Sequence, residues 1–258
     1  MLRILWNGRA GLQSNQNKLD VISNNIANVD TNGYKKLDVA FEDIFYDKLD
    51  KRLGFPITAE GQDRDKIISG SGSKAVNIVR NSSQGNIVET GRELDIAIEG
   101  AGYFRLKGGD NKYYYTRDGA FNIDGNGNIV HSSGLKLDLE SYTSGSQLKS
   151  PIRIDTAGNV YSEEKLVGKI YVYDYVSKDD MIASGNNLFT VNDESGNSVK
   201  QLGIGQFKLR QGFIEKSNVD LAKELTDMLI TQRAYELNSK SIRAADEMWQ
   251  ISNNLRNK

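Results

Sequence analysis

The sequence predicts an α+β protein: an N-terminal and a C-terminal helix that pair as a coiled-coil-like core domain, and between them in the chain a central all-β domain of short antiparallel strands. Two observations carry this. Apolar residues recur with a period of seven at both ends, and turn formers crowd the middle. Both ends lack Pro and are nearly free of Gly past Gly11, whereas 54–212 is dense in Gly, Asn, Asp and Ser. The expected divisions are 1–34 for the N-terminal helix, 35–75 for an extended arm or linker, 76–216 for the β domain and 217–258 for the C-terminal helix.

At the N-terminal end Leu5, Leu12, Leu19 and Ile26 recur every seven residues, and Ile22 and Val29 follow the last two by three. This is a heptad seam, interrupted by Gly8 and Asn15 where its second position should be apolar. The helix is expected over 3–29, roughly 40 Å long, and ends where Asp30-Thr31-Asn32-Gly33 supplies turn formers. At the other end Ser217-Asn218 offers an N-cap, and Leu221, Met228, Tyr235, Ile242 and Trp249 recur with the same period. A second set, Ile230, Leu237, Ala244 and Ile251, sits two residues further on, about 200° around the helix. The N-terminal helix can cover one of these faces, so the other calls for a further partner, most simply another copy of the chain.

Leu94-Asp95-Ile96-Ala97-Ile98-Glu99-Gly100 alternates as a half-buried strand should. Tyr103-Phe104-Arg105-Leu106, Tyr113-Tyr114-Tyr115-Thr116 and Ala120-Phe121-Asn122-Ile123 follow as short strands between tight turns. The pattern I-D-x-x-G-N-[IV] occurs at Ile123 and again at Ile154, and both copies read as hairpin turns. Lys169 to Tyr175 and Gln206 to Gly212 complete the strand signals. The tyrosine clusters at 113–115 and 171–175 fit either a carbohydrate or peptide platform or cross-strand packing, with packing the commoner use. The Gly/Ser-rich and charged part of the arm, 47–73, is expected to take its order from what it lies against.

Composition excludes much chemistry. The chain of 258 residues holds no Cys, one His, and 33 Lys+Arg against 34 Asp+Glu. Disulfide scaffolds, Cys-ligated zinc, iron–sulfur clusters and thiol catalysis are therefore absent, and the balanced charge argues against nucleic-acid binding. No apolar run reaches the ~20 residues of a membrane-spanning helix, and the opening Met1 to Arg9 lacks a cleavable signal pattern. Asp124-Gly125-Asn126-Gly127-Asn128 begins like a calcium loop, but Ile129 stands where that loop needs Gly and Leu135 where it needs Glu, which favours a plain turn. His131 reads as a hydrogen-bonded structural histidine. Glu89, Glu93, Asp95 and Glu99 could supply a carboxylate pair for a cell-wall glycoside hydrolase, the enzymatic runner-up, and a surface binding module is a further alternative. The expectation is a chain that is not an enzyme, with no cofactor, no metal and no small-molecule substrate.

Three motif regions resemble the bacterial flagellar rod and hook family. Ser23 to Lys35, with Asn24, Asn25, Ala27, Asn28, Thr31, Gly33 and Tyr34, is similar to that family's N-terminal signature. Gln211 to Leu221 with Asn218, followed by Gln232, Arg233, Ala234 and Tyr235, is similar to its C-terminal signature, and 95–121 to its β domain. The opening Met1 to Trp6, the stretch Val39 to Tyr46 and the chain length are most similar to distal rod subunits, with proximal rod subunits next. Hook proteins usually carry a further outer domain. The resemblance implies a helical tube of identical copies around an export channel in the basal body, a drive shaft transmitting torque. It implies neighbouring rod and hook proteins and surrounding ring proteins as partners, and export by the flagellar type III apparatus, with chaperoned assembly factors, rather than by a cleaved signal peptide. The apolar heptad residues would then pack the core helices and their contacts between subunits.

Overall fold

Helix α1 (Leu2–Ala27) ends where Asn28 begins a turn: the Thr31 amide donates to the Asn28 carbonyl at 3.2 Å, and Gly33 adopts a left-handed φ of +67°. Helix α2 (Leu221–Arg256) starts at Asp220, whose carboxylate accepts the amides of Ala222 at 3.0 Å and Lys223 at 3.2 Å. The cap is thus Asp220 rather than Ser217-Asn218. Asn218 is drawn off by Lys36, whose amide donates to its side-chain oxygen at 2.7 Å, and by Ser83. The computed structural model describes residues 2–43, 46–48, 68–70, 73–109, 112–142, 151–176, 181–191, 198–203 and 205–256.

The chain divides into two compact units. The first holds Met1–Ala27, Leu37–Asn81 and Asp220–Lys258. In it α1 and α2 pack together, and strands Leu37–Asp43 and Ser73–Arg80 pair antiparallel with a register shift between Ala40 and Phe41. Tyr46–Lys48 pairs with Ile68–Gly70. The arm expected over 35–75 therefore contributes strands to this unit, while 49–67 lies outside the described residues.

The second unit holds Asn28–Lys36 and Ser82–Val219. Among the described residues its largest sheet has nine strands, around Tyr103–Lys107 and Tyr113–Thr116, and a four-stranded sheet runs in the order Leu139–Ser141, Lys165–Ile170, Asn159–Ser162, Ile152–Ile154. Ile96–Gly100 pairs with Phe207–Gln211, and Ile87–Glu89 with Phe213–Glu215. Alternation along Tyr103–Lys107 sends Phe104 and Leu106 into one core, with Phe121, Ile170, Val172 and Leu209, and Tyr103 into a second, aromatic one.

Ile96, Ala97 and Ile98 are all buried, where the sequence pattern reads as a half-exposed strand. The loop at Gly119 pairs with this strand through its backbone: the Ile96 amide donates to the Gly119 carbonyl at 3.0 Å, and a Cβ on Gly119 would stand 1.7 Å from the Ile96 carbonyl oxygen, so only Gly admits this approach. The tyrosines of the second core pack on one another. Tyr103 meets Tyr175 and Phe189 edge-on at 5.3 and 5.8 Å, and Tyr115 meets Tyr175 at 5.3 Å. Each such pair contributes about 0.5–1.5 kcal/mol beyond its buried area. Burial pushes the Tyr173 hydroxyl up to about 12 against the lowering effect of Arg105. The echoed turns share one geometry: Asp124 and Asp155 each donate their amide to the carbonyl four residues on and accept from Gly127 or Gly158. His131 to Leu135 forms a third copy, with Gly134 in the same role.

Candidate functional site: buried polar clamps and the outer face of the C-terminal helix

The signature residues after α1 fold into a buried ion cluster of the second unit. Gly33 is required there by its positive φ, and a Cβ would lie 2.6 Å from the Arg117 carbonyl carbon. Its amide donates to the Glu215 carbonyl at 2.8 Å, which sets Tyr34 and Lys35 inward. Lys35 Nζ donates to Glu215 Oε1 at 2.5 Å and to the Ser83 carbonyl at 2.8 Å. Arg117 donates through Nη1 to Glu215 Oε2 at 2.8 Å and through Nη2 to the Gly100 carbonyl at 2.7 Å. The Gly85 amide also donates to Glu215 Oε1, at 2.9 Å. The side chains of Lys35 and Glu215 are 1% exposed and that of Arg117 5%. One anion thus pairs with two cations away from water, leaving one positive charge in excess, and burial holds the Lys35 ammonium below its ordinary pKa while Glu215 opposes that shift.

A second clamp belongs to the first unit. The buried Asn25 side chain mimics a strand neighbour: its amide donates to the Leu37 carbonyl and its oxygen accepts the Leu37 amide, both at 2.9 Å. Its second N–H reaches Glu224 Oε2, on α2, at 3.1 Å. Asn25 therefore ties together α1, α2 and the strand that starts at Leu37.

The α1–α2 seam places small and polar residues beside aliphatic ones. A Cβ on Gly8 would stand 2.6 Å from Ile242 Cγ1, and one on Gly11 2.7 Å from Asn238 Nδ2, so the glycine that interrupts the heptad pattern makes room for an α2 side chain. Ser14, Val21, Ile22 and Asn25 are buried on α1, and Glu224, Thr231 and Ala245 on α2. Glu224, Thr231, Asn238 and Ala245 are themselves spaced by seven. An apolar-only pattern passes over them; a period-seven search admitting small and polar residues finds them.

Of the heptad residues, Ile22 is buried; Leu5, Leu12, Leu19, Ile26, Val29, Met228 and Ile242 are half-buried. Leu221, Tyr235 and Trp249 are exposed, as are Ile230 at 59%, Leu237 at 62% and Ile251 at 61%. With Ala234, Ser241, Ala244, Met248 and Leu255 the last three form a complete three-four spacing along α2. Among the signature residues Asn25, Gly33 and Tyr34 are buried, Asn28, Thr31, Asn218 and Ala234 half-buried, and Asn24, Ala27, Gln232 and Arg233 exposed. Arg233 pairs with Glu236 at 3.1 Å. Lys35, Arg117 and Glu215 lie within the motif segments but stand far apart in sequence, with no local pattern to pair them.

The other chemical candidates settle into structure. Asp95 is buried and accepts from Thr90 at 2.6 Å, Glu93 accepts the Ile152 amide, and Glu89 and Glu99 are exposed. The Asp124 carboxylate accepts the Asn126 and Asn128 amides and the Asn128 side chain, which lowers its pKa and spends its oxygens on the turn. His131 is buried between Asp118, 3.1 Å from Nε2, and Ser133, whose hydroxyl and amide both meet Nδ1. The amide fixes Nδ1 as acceptor, so the ring locks its own turn. Among the described residues no group of three or more His, Asp or Glu could hold a metal, and no helix is long and apolar enough to cross a membrane.

Three family models match: a flagella basal body rod protein model over residues 5–35, a flagellar hook protein FlgE/F/G D1 domain model over 97–162, and a flagellar basal body rod FlgEFG protein C-terminal model over 210–255. The chain is 36% identical to the flagellar basal-body rod protein FlgG of Borreliella burgdorferi over 268 aligned positions, covering 99% of both chains. It is 35% identical to FlgG of Bacillus subtilis, covering 99% of this chain and 100% of that one. Against the flagellar hook-basal body complex protein FlhP of Bacillus subtilis the identity is 27%, with 99% of this chain and 100% of that one covered. The N-terminal signature, the β unit and the C-terminal helix thus match in order along one continuous relative, and the chain belongs to the flagellar basal-body rod protein family, as a structural member of it and not an enzyme.

Proposed function

We propose that this chain is a distal rod subunit, copies of which polymerise helically in the basal body into a stiff hollow shaft that transmits torque and encloses an export channel. The observation that carries this reading is the placement of apolar residues on the terminal helices. The internal α1–α2 seam uses Gly8, Gly11, Ser14, Thr231 and Ala245, whereas Ile230, Leu237, Met248 and Ile251 face outward. A helix whose best apolar stripe is left exposed is built for a neighbour. The FlgG relatives, aligned over nearly the whole chain, support the distal position over the proximal one. Other rod and hook proteins are the expected axial neighbours and ring proteins the lateral ones, and the type III apparatus with its assembly factors is the expected export route, without a cleaved signal peptide.

Electron microscopy of the purified protein over a range of concentrations tests the reading. Tubes of uniform diameter are the expected result. A monodisperse monomer at every concentration, with no tubes in the presence of preformed rod ends, overturns it.

A further inference from the structure

We propose that the outward seam of α2 docks into a groove on a second copy of this chain, formed between α1 and the paired strands Leu37–Asp43 and Ser73–Arg80; this rests on the rod-subunit reading and names a surface that carries it. The groove encloses about 640 Å³, with Val21, Leu37, Val39 and Ile78 as apolar lining and Asn17 and Asp20 as polar lining. Ile78 is 56% exposed, as open as the seam residues it would meet.

Three features choose the occupant. The groove follows α1 from Asn17 to Asn24, seven residues, or about 10 Å at the helical rise. That is one heptad, the separation of Ile230 and Leu237, so two successive knobs fit its length. The charge is complementary: Asp20 lies on the groove, and Arg233 and Lys240, both exposed, flank the two knobs. The chain's own α2 is already committed, since Ile242, Asn238 and Glu224 hold its other face to α1 near Gly8, Gly11 and Asn25. Seam and groove are different patches, so their contact is heterologous and repeats from copy to copy, as an open helical array requires.

The absence of cysteine makes cross-linking a clean test. Asn77→Cys marks the groove, Ala234→Cys the seam between Ile230 and Leu237, and Ser239→Cys a different face of α2. Subunits carrying Asn77→Cys are mixed with equal amounts of each of the others, assembled, and treated with a short bismaleimide. The expected result is a cross-linked dimer with Ala234→Cys and none with Ser239→Cys, and a ladder of multimers from the Asn77→Cys/Ala234→Cys double variant. In addition, Leu237→Ala raises the concentration needed for assembly by roughly ten- to a hundredfold, the value of one buried leucine side chain, with the near-ultraviolet circular dichroism of the β unit unchanged. Tubes that form without the Asn77–Ala234 link, or that link through Ser239→Cys instead, overturn the docking proposal and leave the rod reading standing. Failure of the unsubstituted chain to form any tube overturns both.

Discussion

Replacing Glu215 by Gln should be among the most damaging single changes in the β unit. The carboxylate accepts from Lys35, Arg117 and the Gly85 amide and is the one anion between two buried cations. Gln keeps the shape and one acceptor oxygen but leaves both cations without a counter-charge. Breaking a buried pair in this way costs about 3–5 kcal/mol, a large part of the 5–15 kcal/mol stability usual for a domain. Lys35→Met is the informative contrast: it removes the excess cation, leaves Arg117 and Glu215 joined at 2.8 Å, and should cost about 1 kcal/mol or less. Urea unfolding followed by tyrosine near-ultraviolet circular dichroism measures both, because Tyr103 lies 5.4 Å from the Arg117 guanidinium and belongs to the aromatic core. A Glu215→Gln variant within about 1 kcal/mol of the parent, or a Lys35→Met variant less stable than Glu215→Gln, would refute a charge-balancing role for Glu215.

Gly33→Ala should destabilise the same unit by about 3 kcal/mol, combining a positive φ with a Cβ 2.6 Å from the Arg117 backbone; an unchanged urea midpoint would contradict the geometry. Stability should also depend on pH through Lys35. Its folded pKa lies below the ordinary 10.5 because of burial, so between the two values the unfolded chain holds a proton that the folded chain lacks, and stability rises with pH across that window and levels off above it. Measured against Lys35→Met, the parent should gain stability as alkaline pH is approached; a relative loss refutes the sign. Limited proteolysis of dilute monomer should cut within 2–27 and 220–256 well before 28–36, which is protected because Gly33 and Lys35 are bound to Glu215. Cleavage at 28–36 as early as in α1 would count against that pin.

The two helices and the β-rich middle are legible in the sequence because period seven and turn chemistry are local signals, present wherever the segment sits. What escapes is set by partners far along the chain. Glu215 meets Lys35 from 180 residues away and Arg117 from 98, and no periodicity links them. Ser217-Asn218 has the right residue types for a helix cap, yet Asn218 binds Lys36 and Ser83 while Asp220 caps α2, a competition between local and distant acceptors that composition does not rank. Gly8 looks like a defect in an apolar seam until Ile242 is placed against it. The same limit applies to Ile96 and Ile98, buried in a core whose other members include Ile170 and Leu209 from far along the chain.

The distribution of small and apolar residues over the two helices links folding to assembly. Each large aliphatic side chain moved from water to a packed contact contributes about 1.5–3 kcal/mol, whereas burial of Gly, Ser, Thr or Ala along the α1–α2 seam contributes far less. Holding α1 and α2 in order opposes about 1–2 kcal/mol of backbone entropy per residue. Within one copy, Gly8, Gly11, Ser14, Thr231 and Ala245, the aliphatic Val21, Ile22 and Ile242, and one hydrogen-bonded clamp at Asn25 and Glu224 offset part of that cost. Burying Ile230, Leu237, Met248 and Ile251, which the single chain leaves exposed, against a neighbour would add to that offset. The helices of this chain are therefore most stable where neighbours exist, while the β unit, with its own aliphatic and aromatic cores and its buried Lys35–Glu215–Arg117 cluster, carries its stability within one copy. A subunit arranged in this way keeps a folded body in reserve and completes its ends as the shaft grows.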